Sequence, residues 1–476
     1  MTVLTAEQVR EVDRLTIEEN GVPSLALMEN AAHRLDEALL QHFDPLDKKY
    51  VVILCGKGNN GGDGLALARL LIGKVARLHV VLGCDPEELR GDAKVNYERL
   101  REGGVMPARD IPTKLRERRE VDVVVDALLG TGVKGPPQGR ILELIRATRE
   151  FPSAKIVAVD LPSGLGGGGE CVRADVTVTF TAPKVEHYLA EGAEECVGQL
   201  TISQIGCPPQ YVTSQLALSD PRAFAPLFEP RRRNAHKGDF GHVLVIGGAP
   251  GKSGAAAMAG LAALRMGAGL VSVTTHAAAN VAPELMTETL EDFSLERKTV
   301  LAIGPGLGLQ PGLVRRVLAE AAVPVVIDAD ALNSIAGSDF RGRGMQTILT
   351  PHPGEMARLL GHAVGDRLET ARAFAQERDV CLVLKGHRTL IARPDGQVFI
   401  NLSGSPAMAT GGTGDILTGM IAGMVAQFPD QPDAAVRAAV WLHGRSGELG
   451  AQELTEKCLI ATDLLRFLPH SIHEIV

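Results

Sequence analysis

Residues 56–64 read GKGNNGGDG and directly follow the apolar run YVVILC at 50–55. An apolar strand, a glycine-rich turn and a helix start, in this order, open many nucleotide-binding α/β units. Gly56, Gly58 and Gly61 fit the dinucleotide fingerprint G-x-G-x-x-G, which alone is weak evidence. The loop also carries two asparagines and an aspartate that a pyrophosphate turn does not need. The stretch therefore predicts a dinucleotide site, a site for a related molecule, or only a tight turn.

The first 212 residues alternate short apolar runs with helical patterns. Runs that are β-branched and almost continuously apolar are typical of buried parallel strands. Their alternation with helices predicts a doubly wound α/β sheet. The strand-like runs are 50–55, 76–83, 121–128, 155–162 and 174–180.

The strand and helix pattern lapses after residue 212, where the chain is rich in proline and charge. We therefore predict one domain over 1–212, a linker over 213–235 and a second α/β domain over 236–476. In the second domain GAAAMAGLAALRMGAGLVSV, at 254–273, predicts a buried helix that leads into a strand. The other strand-like runs there are 242–248, 299–306, 323–330, 346–354, 381–386 and 389–400.

Composition excludes several classes of protein. The net charge of −8 argues against a nucleic-acid partner held by bulk electrostatics. The seven cysteines are scattered and do not resemble a disulfide framework or a zinc site, so a reducing cytoplasm is expected. The amino terminus predicts an amphipathic helix and not a signal peptide, and no run predicts a membrane span.

Two further loops of the first domain point to a ligand site. DALLGTGVKGP at 126–136 and DLPSG at 160–164 both follow apolar strands. Ligands of open α/β sheets bind beyond the carboxyl ends of the strands. The oxygen-bearing side chains of Asn60, Asp126 and Ser163 suit a hard cation such as K⁺ or Mg²⁺. The alternative is that the aspartates only cap the helices that follow.

The strongest signal of the second domain is ATGGTGDILTGMIAG at 409–423. A glycine run at a helix start offers backbone N–H groups to a polyphosphate, and Asp415 in the first turn is a candidate base for a hydroxyl proton. The alternative is a carboxylate that only complements the helix dipole. The stretch IGGAPGKSG at 246–254 misses the P-loop pattern by one residue, which argues against Walker chemistry.

TPHPGE at 350–355 and LKGHRT at 384–389 each begin at the end of a predicted strand. His352 is a candidate ligand-contacting residue, although a single histidine is more often structural. Lys385 and Arg388 are candidates to neutralise nucleotide phosphates, and solvated turn charges are an equally good interpretation.

The first-domain motifs, with LMENAA at 27–32, resemble the epimerase domain of NAD(P)H-hydrate repair enzymes, which has a Rossmann-like α/β/α fold. The resemblance implies a site for a molecule shaped like NAD, K⁺ bound by Asn60, Asp126 and Ser163, and Asp160 as acid–base residue. The family usually has an Asp-bearing Thr-Gly turn where this chain has LGGGGECVRAD at 165–175. By resemblance, the residues that contact the hydrate are Asn59, Asn60, Gly61, Gly62, Asp63, Gly130, Thr131, Gly132, Val133, Lys134, Gly135, Pro136 and Asp160.

The second-domain motifs HKGDFGHVLVIGG, GPGLG, DADALN, TPHPGE, LKG and GGTGDILTG resemble the ADP- or ATP-dependent NAD(P)H-hydrate dehydratase domain, which is ribokinase-like. Asp415 is the catalytic residue that the resemblance implies. The residues implied to contact the hydrate are Ala255, Gly306, His352 and Asp415. Those implied to contact the nucleotide are Lys385, Gly386, His387, Arg388, Thr389 and Gly414.

The order of the two domains is that of the bifunctional repair enzymes. The resemblance implies NADHX and NADPHX as substrates, with K⁺ in the epimerase domain and Mg²⁺ with ADP or ATP in the dehydratase domain. It also implies assembly into homo-oligomers. One alternative is a ribokinase-like kinase of a small metabolite, in which the first domain is a non-catalytic dinucleotide-binding module.

Overall fold

A computed structural model describes residues 1–112, 121–132, 135–275 and 281–476. Val133 and Lys134, both predicted to contact the hydrate, lie outside the described residues. The chain divides into two compact units, Thr2–Ser214 and Gln215–Val476 with Met1. Each unit has its own sheet.

The first unit is built on a six-stranded parallel sheet of order β2-β1-β3-β4-β5-β6. Alternate residues of β1 belong to two different apolar clusters. Val51 and Ile53 pack in one cluster, and Val52 and Leu54 pack in the other. Both faces of the sheet are therefore covered, which confirms the predicted three-layer fold. The strands are β1 Tyr50–Cys55, β2 Arg77–Leu82, β3 Val123–Ala127, β4 Lys155–Val159, β5 Val176–Phe180 and β6 Gln199–Ser203.

Glycines let the first glycine-rich turn pack closely on the sheet. A Cβ on Gly56 would lie 1.8 Å from the carbonyl oxygen of Leu128, so only glycine fits there. The α-helices of the unit are Ala6–Glu18, Ser24–Phe43, Asn59–Leu70, Gly91–Glu102, Gly139–Thr148, Glu186–Leu189 and Ala193–Cys196, with 3₁₀ turns at Leu46–Lys48, Pro86–Glu88 and Pro209–Tyr211.

The second unit has a ten-stranded sheet of order β10-β9-β8-β11-β12-β13-β14-β15-β16-β7. Its strands pair in parallel except for the antiparallel run β14-β15-β16. The strands are β7 Leu216–Leu218, β8 His242–Ile246, β9 Leu270–Thr274, β10 Met286–Glu288, β11 Val300–Ile303, β12 Val325–Ile327, β13 Gly344–Leu349, β14 Val380–Leu384, β15 Leu390–Ala392 and β16 Val398–Ile400.

Two apolar helices, Ser253–Arg265 and Thr413–Gln427, pack closely on each other. A Cβ on Gly419 would lie 1.9 Å from the carbonyl oxygen of Ala259, so the contact needs glycine. The other α-helices are Pro311–Glu320, Ala329–Ile335, Pro353–Leu360, Arg367–Arg378, Pro432–Leu454 and Asp463–His473, with 3₁₀ turns at Pro221–Ala223, Ala225–Phe228, Lys237–Phe240 and Pro406–Met408.

The segment predicted as a linker, 213–235, is partly built into the second unit. Its residues Leu216–Leu218 form β7, which pairs in parallel with Val398–Ile400. Phe224 is fully buried in the core of that unit. The proline and charged residues of this segment interrupt the hydrophobic pattern, so the sequence did not predict these short elements.

The cysteines differ from the sequence expectation at one place. Cys171 and Cys196 are joined by a disulfide, with their sulfur atoms 2.23 Å apart. The remaining five cysteines are free thiols, and three of them are buried. Within the described ranges, no helix combines the length and the apolar character that crossing a membrane requires.

Candidate active sites

The polar loops of the first unit meet at a cavity of about 620 Å³ at the carboxyl ends of its strands. The start of helix Asn59–Leu70, the segment after β3 and the residue after β4 all contribute to its wall. Seven of the residues predicted to contact the hydrate line this cavity, namely Asn59, Asn60, Asp63, Gly130, Thr131, Gly132 and Asp160.

Four other predicted contact residues do not line this cavity. A Cβ on Gly61 would lie 1.8 Å from the carbonyl oxygen of Gly56, and one on Gly62 would lie 2.6 Å from Met28 Cε. These two glycines therefore permit close packing of the turn. Gly135 lines a smaller cleft beside the cavity, and Pro136 lines neither.

Asp160 is held by a buried lysine that the sequence analysis missed. Lys184 Nζ lies 2.5 Å from Asp160 Oδ1 and also donates to Thr179 Oγ1 and to the carbonyl of Phe180. Burial alone would raise the pKa of Asp160, but the charge and the hydrogen bond of Lys184 lower it. Asp160 is therefore an ionised carboxylate at neutral pH.

A histidine fixes the backbone around this ion pair. His187 Nδ1 accepts from the backbone N–H of Lys184, and its Nε2 lies 2.8 Å from the carbonyl oxygen of Asp160. Burial and the charge of Lys184 lower the pKa of His187 to about 4. The ring is thus neutral, with its proton on Nε2, and holds Asp160 at a φ of 64°.

Two more carboxyl groups line the same cavity with different protonation. Burial, together with the charge of Asp160, raises the pKa of Asp63 well above its ordinary value. Burial raises the pKa of Asp13 to about 6, against the opposing effect of Lys184. The site therefore combines an ionised, a protonated and a titrating carboxyl group near neutral pH.

The predicted cation ligands form one hydrogen-bonded cluster. Ser163 donates to Asp126 through its Oγ (2.6 Å) and its backbone N–H (2.7 Å), and it accepts from the N–H of Leu129. Asn60 Nδ2 donates to the carbonyl oxygen of Leu129 at 2.8 Å. The structure thus brings Asn60, Asp126 and Ser163 together.

The Asp126 carboxylate has the chemistry expected of a cation ligand. It is fully buried and accepts its hydrogen bonds from uncharged groups, so that burial raises its pKa to about 6. A monovalent cation beside it would supply the missing positive charge. The described part of the chain holds no group of three His, Cys, Asp or Glu side chains that could bind a metal ion.

The unusual turn LGGGGECVRAD is packed and hydrogen-bonded. The N–H of Val172 donates to the carbonyl of Ser163 at 3.0 Å. A Cβ on Gly167 would lie 2.6 Å from the carbonyl oxygen of Gly135. The turn therefore supports the loop that carries the predicted hydrate-contacting residues.

Asp415 of the second unit lies in the first turn of helix Thr413–Gln427, as the sequence predicts. Gly412, at a φ of 96°, is the N-cap residue of this helix, and His443 Nε2 lies 2.9 Å from the carbonyl oxygen of Thr413. Burial and the neighbouring charge of Asp328 raise the pKa of Asp415 to about 6. This carboxylate is therefore poised to take a proton near neutral pH.

Lys385 is paired within the protein. Its Nζ lies 2.7 Å from Asp328 Oδ1 and 3.7 Å from Glu355 Oε2. Asp328 also accepts from Thr418 Oγ1 at 2.7 Å. A Cβ on Gly414 would lie 3.4 Å from Lys385 Nζ, so the ammonium group lies against the glycine turn. The lysine thus joins three loops. Its charge also lowers the pKa of Asp415, against the larger effect of burial.

Of the other residues predicted to contact the hydrate, His352 and Ala255 lie at helix starts and Gly306 follows β11. His352 is the N-cap of helix Pro353–Leu360, and its Nδ1 accepts from the N–H groups of Gly354 and Glu355. Its structural role is therefore clear, and its Nε2 carries the ring proton. The Cβ of Ala255 lies 3.1 Å from the position of a Cβ on Gly306, which brings these two together.

The loop from Gly386 to Thr389 is only partly fixed by other residues. Gly386 and His387 are exposed, while the guanidinium of Arg388 donates to the carbonyl of Leu402. Thr389 Oγ1 donates to the carbonyl of Gly386. The loop follows β14, as predicted, on the side of the sheet where Lys385 meets Asp328.

Sequence reasoning missed several residues of both sites. Lys184 stands alone in TAPK after a strand, and Asp13 belongs to an ordinary amphipathic helix, so neither carries a motif. Asp328 follows β12 in the quoted motif DADALN, and this position at a strand end was a signal for it.

Two family models match the chain in the same order as its two units. Residues 24–186 match the YjeF-related protein N-terminus, and residues 243–470 match the NAD(P)H-hydrate dehydratase family. The chain is therefore an α/β enzyme that has two different sites, one in each unit.

Relatives match over the entire length. A bifunctional NAD(P)H-hydrate repair enzyme of Moorella thermoacetica is 40% identical over 100% of this chain and 97% of the relative. One of Escherichia coli is 35% identical over 99% and 94%. The ADP/ATP-dependent NAD(P)H-hydrate dehydratase of Bacillus subtilis, co-crystallised with ATP and Mg²⁺, is 35% identical, with a TM-score of 0.51, over 56% of this chain and 100% of that one. The chain belongs to the family of bifunctional NAD(P)H-hydrate repair enzymes.

Proposed function

We propose that the chain repairs hydrated NADH and NADPH in two reactions, one in each unit. The first unit interconverts the R and S hydrates, and the second dehydrates the S hydrate at the expense of ADP or ATP. One observation carries this proposal. The chain matches bifunctional relatives end to end, and it contains both a cavity lined by acid–base residues and a glycine-rich helix start with Asp415.

In the first unit we assign hydrate binding to the predicted loops and acid–base chemistry to Asp160. The ionised Asp160 is suited to accept a proton, because Lys184 stabilises its charge. We assign a K⁺ site to Asn60, Asp126 and Ser163. A bound K⁺ would supply positive charge beside Asp126 and hold the three loops in place.

In the second unit Asp415 takes the proton of the ring hydroxyl, whose oxygen attacks the terminal phosphorus of the nucleotide. The shorter nucleotide leaves. The carbon–oxygen bond then breaks with phosphate as the leaving group, and loss of a proton from the neighbouring carbon restores the 5,6 double bond. The N–H groups at the start of helix Thr413–Gln427 are suited to bind the transferred phosphate.

Nucleotide binding is assigned to Gly414 and to the loop 386–389. Because Lys385 is already paired with Asp328, we assign it to holding the glycine turn, and the contacts with phosphate to the loop beyond it. The Bacillus subtilis dehydratase was crystallised with ATP and Mg²⁺, which supports the same ligands here. Mg²⁺ would be held chiefly by phosphate oxygens and water.

The experiment is recovery of NADH absorbance from a mixture of R and S NADHX with Mg²⁺ and ADP or ATP. The wild-type protein should recover the whole mixture, and Asp160→Asn should recover only the S fraction at the enzymatic rate. Asp415→Asn should recover nothing while still interconverting the epimers. Accumulation of a stable phosphorylated product would instead support the metabolite-kinase alternative.

Location and assembly are further parts of the proposal. We propose a cytoplasmic location, where NADH and NADPH are used, and assembly into homo-oligomers on the basis of the resemblance. Sedimentation of the purified protein at two concentrations tests the assembly. A single monomer mass at both concentrations would contradict it.

A further inference from the structure

Three of the five carboxyl groups that line the cavity of the first unit come from different elements of that unit. Asp13 comes from helix Ala6–Glu18, Asp63 from helix Asn59–Leu70, and Asp160 follows β4. The family resemblance assigns roles to the last two only. Asp13 lies outside the segment, 24–186, that the family model matches.

The helix that carries Asp13 is fixed against the Lys184 loop. The backbone N–H of Leu4 donates to Pro183, and the N–H of Val185 donates to Leu4, so that Leu4 pairs with the backbone on both sides of Lys184. A capping box between Thr5 and Gln8 then begins the helix. The position of Asp13 relative to Lys184 is therefore determined by backbone hydrogen bonds.

Epimerisation requires both an acid and a base. The hydroxyl must leave as water from one face of the ring, and water must return to the other face. Asp160 is ionised and so can only begin as the base. Burial raises the pKa of Asp63, and it raises the pKa of Asp13 to about 6, which allows Asp13 to release and regain a proton near neutral pH. The other charged residues on the cavity wall are Arg10, Lys57, Glu88, Asp92 and Lys184.

We propose that Asp13 is a second catalytic acid–base residue of the first unit, working with Asp160; this inference rests on the epimerase function proposed above. The Asp13 carboxyl group protonates the ring hydroxyl, the C6–O bond breaks, and water leaves. The lone pair of N1 forms the N1–C6 double bond of an iminium ion. Water then adds to C6 from the opposite face, the π electrons return to N1, and Asp160 accepts the proton of the water. Exchange with solvent restores both carboxyl groups.

The test measures interconversion of purified R and S NADHX by chromatography, without nucleotide, from pH 5 to 9. Asp13→Asn keeps the shape of the side chain but cannot donate an acidic proton. We expect its kcat to fall about 100-fold or more, with KM unchanged. The wild-type rate should fall as the pH rises through the pKa of Asp13, about 6. This fall in rate at high pH should be absent from the variant. Glu7→Gln, on the exposed side of the same helix, is the matched control.

A wild-type rate and pH profile in Asp13→Asn would overturn the proposal. A lower rate with the pH profile unchanged would also overturn it, because a purely structural role predicts that result. If Asp13→Asn does not fold, Asp13→Glu decides, since retained activity with a shifted pH profile supports the proposal and an unshifted profile contradicts it. Absence of interconversion in the wild-type protein would instead disprove the epimerase function itself.

Discussion

At the scale of single residues, Asp160 and Asp415 differ in protonation because their nearest charges differ. Asp160 has a buried ammonium group 2.5 Å away, which keeps the carboxylate ionised. Asp415 has Asp328 nearby, and the closest lysine is already paired with that aspartate. Because their nearest charges differ, the carboxylate of Asp160 stays charged, whereas that of Asp415 titrates near pH 6, although both stand in glycine-rich or proline-rich turns.

The first prediction concerns the pH dependence of dehydration. Asp415 must be ionised to take the hydroxyl proton, so kcat for the S hydrate should fall as the pH drops through about 6. Asp415→Asn should lower kcat by about 100- to 10,000-fold at all pH values. Initial rates of NADH formation measure both effects. Asp430→Asn, in the exposed turn after the same helix, should behave as wild type.

The second prediction concerns the buried pair of Lys184 and Asp160. Lys184→Met leaves the Asp160 carboxylate, which is 13% exposed, without its counter-charge and should lower the free energy of unfolding by about 3–5 kcal/mol. The double variant Lys184→Met with Asp160→Asn removes both charges and should regain most of that loss. Denaturant unfolding measures this. Equal destabilisation of the single and double variants would contradict the account.

The candidate site could be predicted from sequence where a motif marks it and not elsewhere. Asp160 and Asn60 stand beside glycine-rich turns that follow apolar strands, and Asp415 stands in a glycine run that begins an apolar helix; such positions themselves predict a ligand site. Lys184 and Asp13 are brought to the cavity by tertiary packing, and no local pattern marks a residue placed in that way. Gly61 and Gly62 stand in a binding motif, yet their neighbours indicate close packing.

At the scale of elements, the third prediction separates two glycines of the same turn. Gly56→Ala would place a Cβ 1.8 Å from a backbone oxygen, which the turn accommodates only by moving away from β3. Gly58 has a φ of −91° and open space around its Cβ position, so Gly58→Ala should be tolerated. We expect a large fall in the thermal unfolding temperature for the first variant and little change for the second.

Buried parallel strands were the elements best predicted from sequence, because continuous apolar runs leave few alternatives. The helix followed by a strand in 254–273 is also confirmed, as Ser253–Arg265 and Leu270–Thr274. The run 389–400 instead forms two antiparallel strands, β15 and β16, around the turn-forming residues 393–397. The short strand β7 was not predicted, because three residues are too few to show a hydrophobic period.

At the scale of the whole molecule, the fourth prediction concerns where the second unit begins. A fragment starting at Gln215 keeps β7 and the buried Phe224, whereas one starting at residue 236 lacks both. Loss of a buried phenylalanine costs about 3–5 kcal/mol, and loss of β7 leaves β16 without a partner on one side. The shorter fragment should unfold at lower denaturant concentration. Identical midpoints would show that 215–235 adds nothing to the unit.

The pairing of Leu4 with the backbone around Lys184 has a practical consequence for anyone who produces the protein. A bulky amino-terminal fusion, or a start codon assigned a few codons late, would disturb the helix that carries Asp13. Such a sample would still recover NADH from the S hydrate and would look fully active in an assay supplied with that epimer alone. A substrate that contains the R epimer would reveal that this part of the damaged cofactor is no longer returned to use.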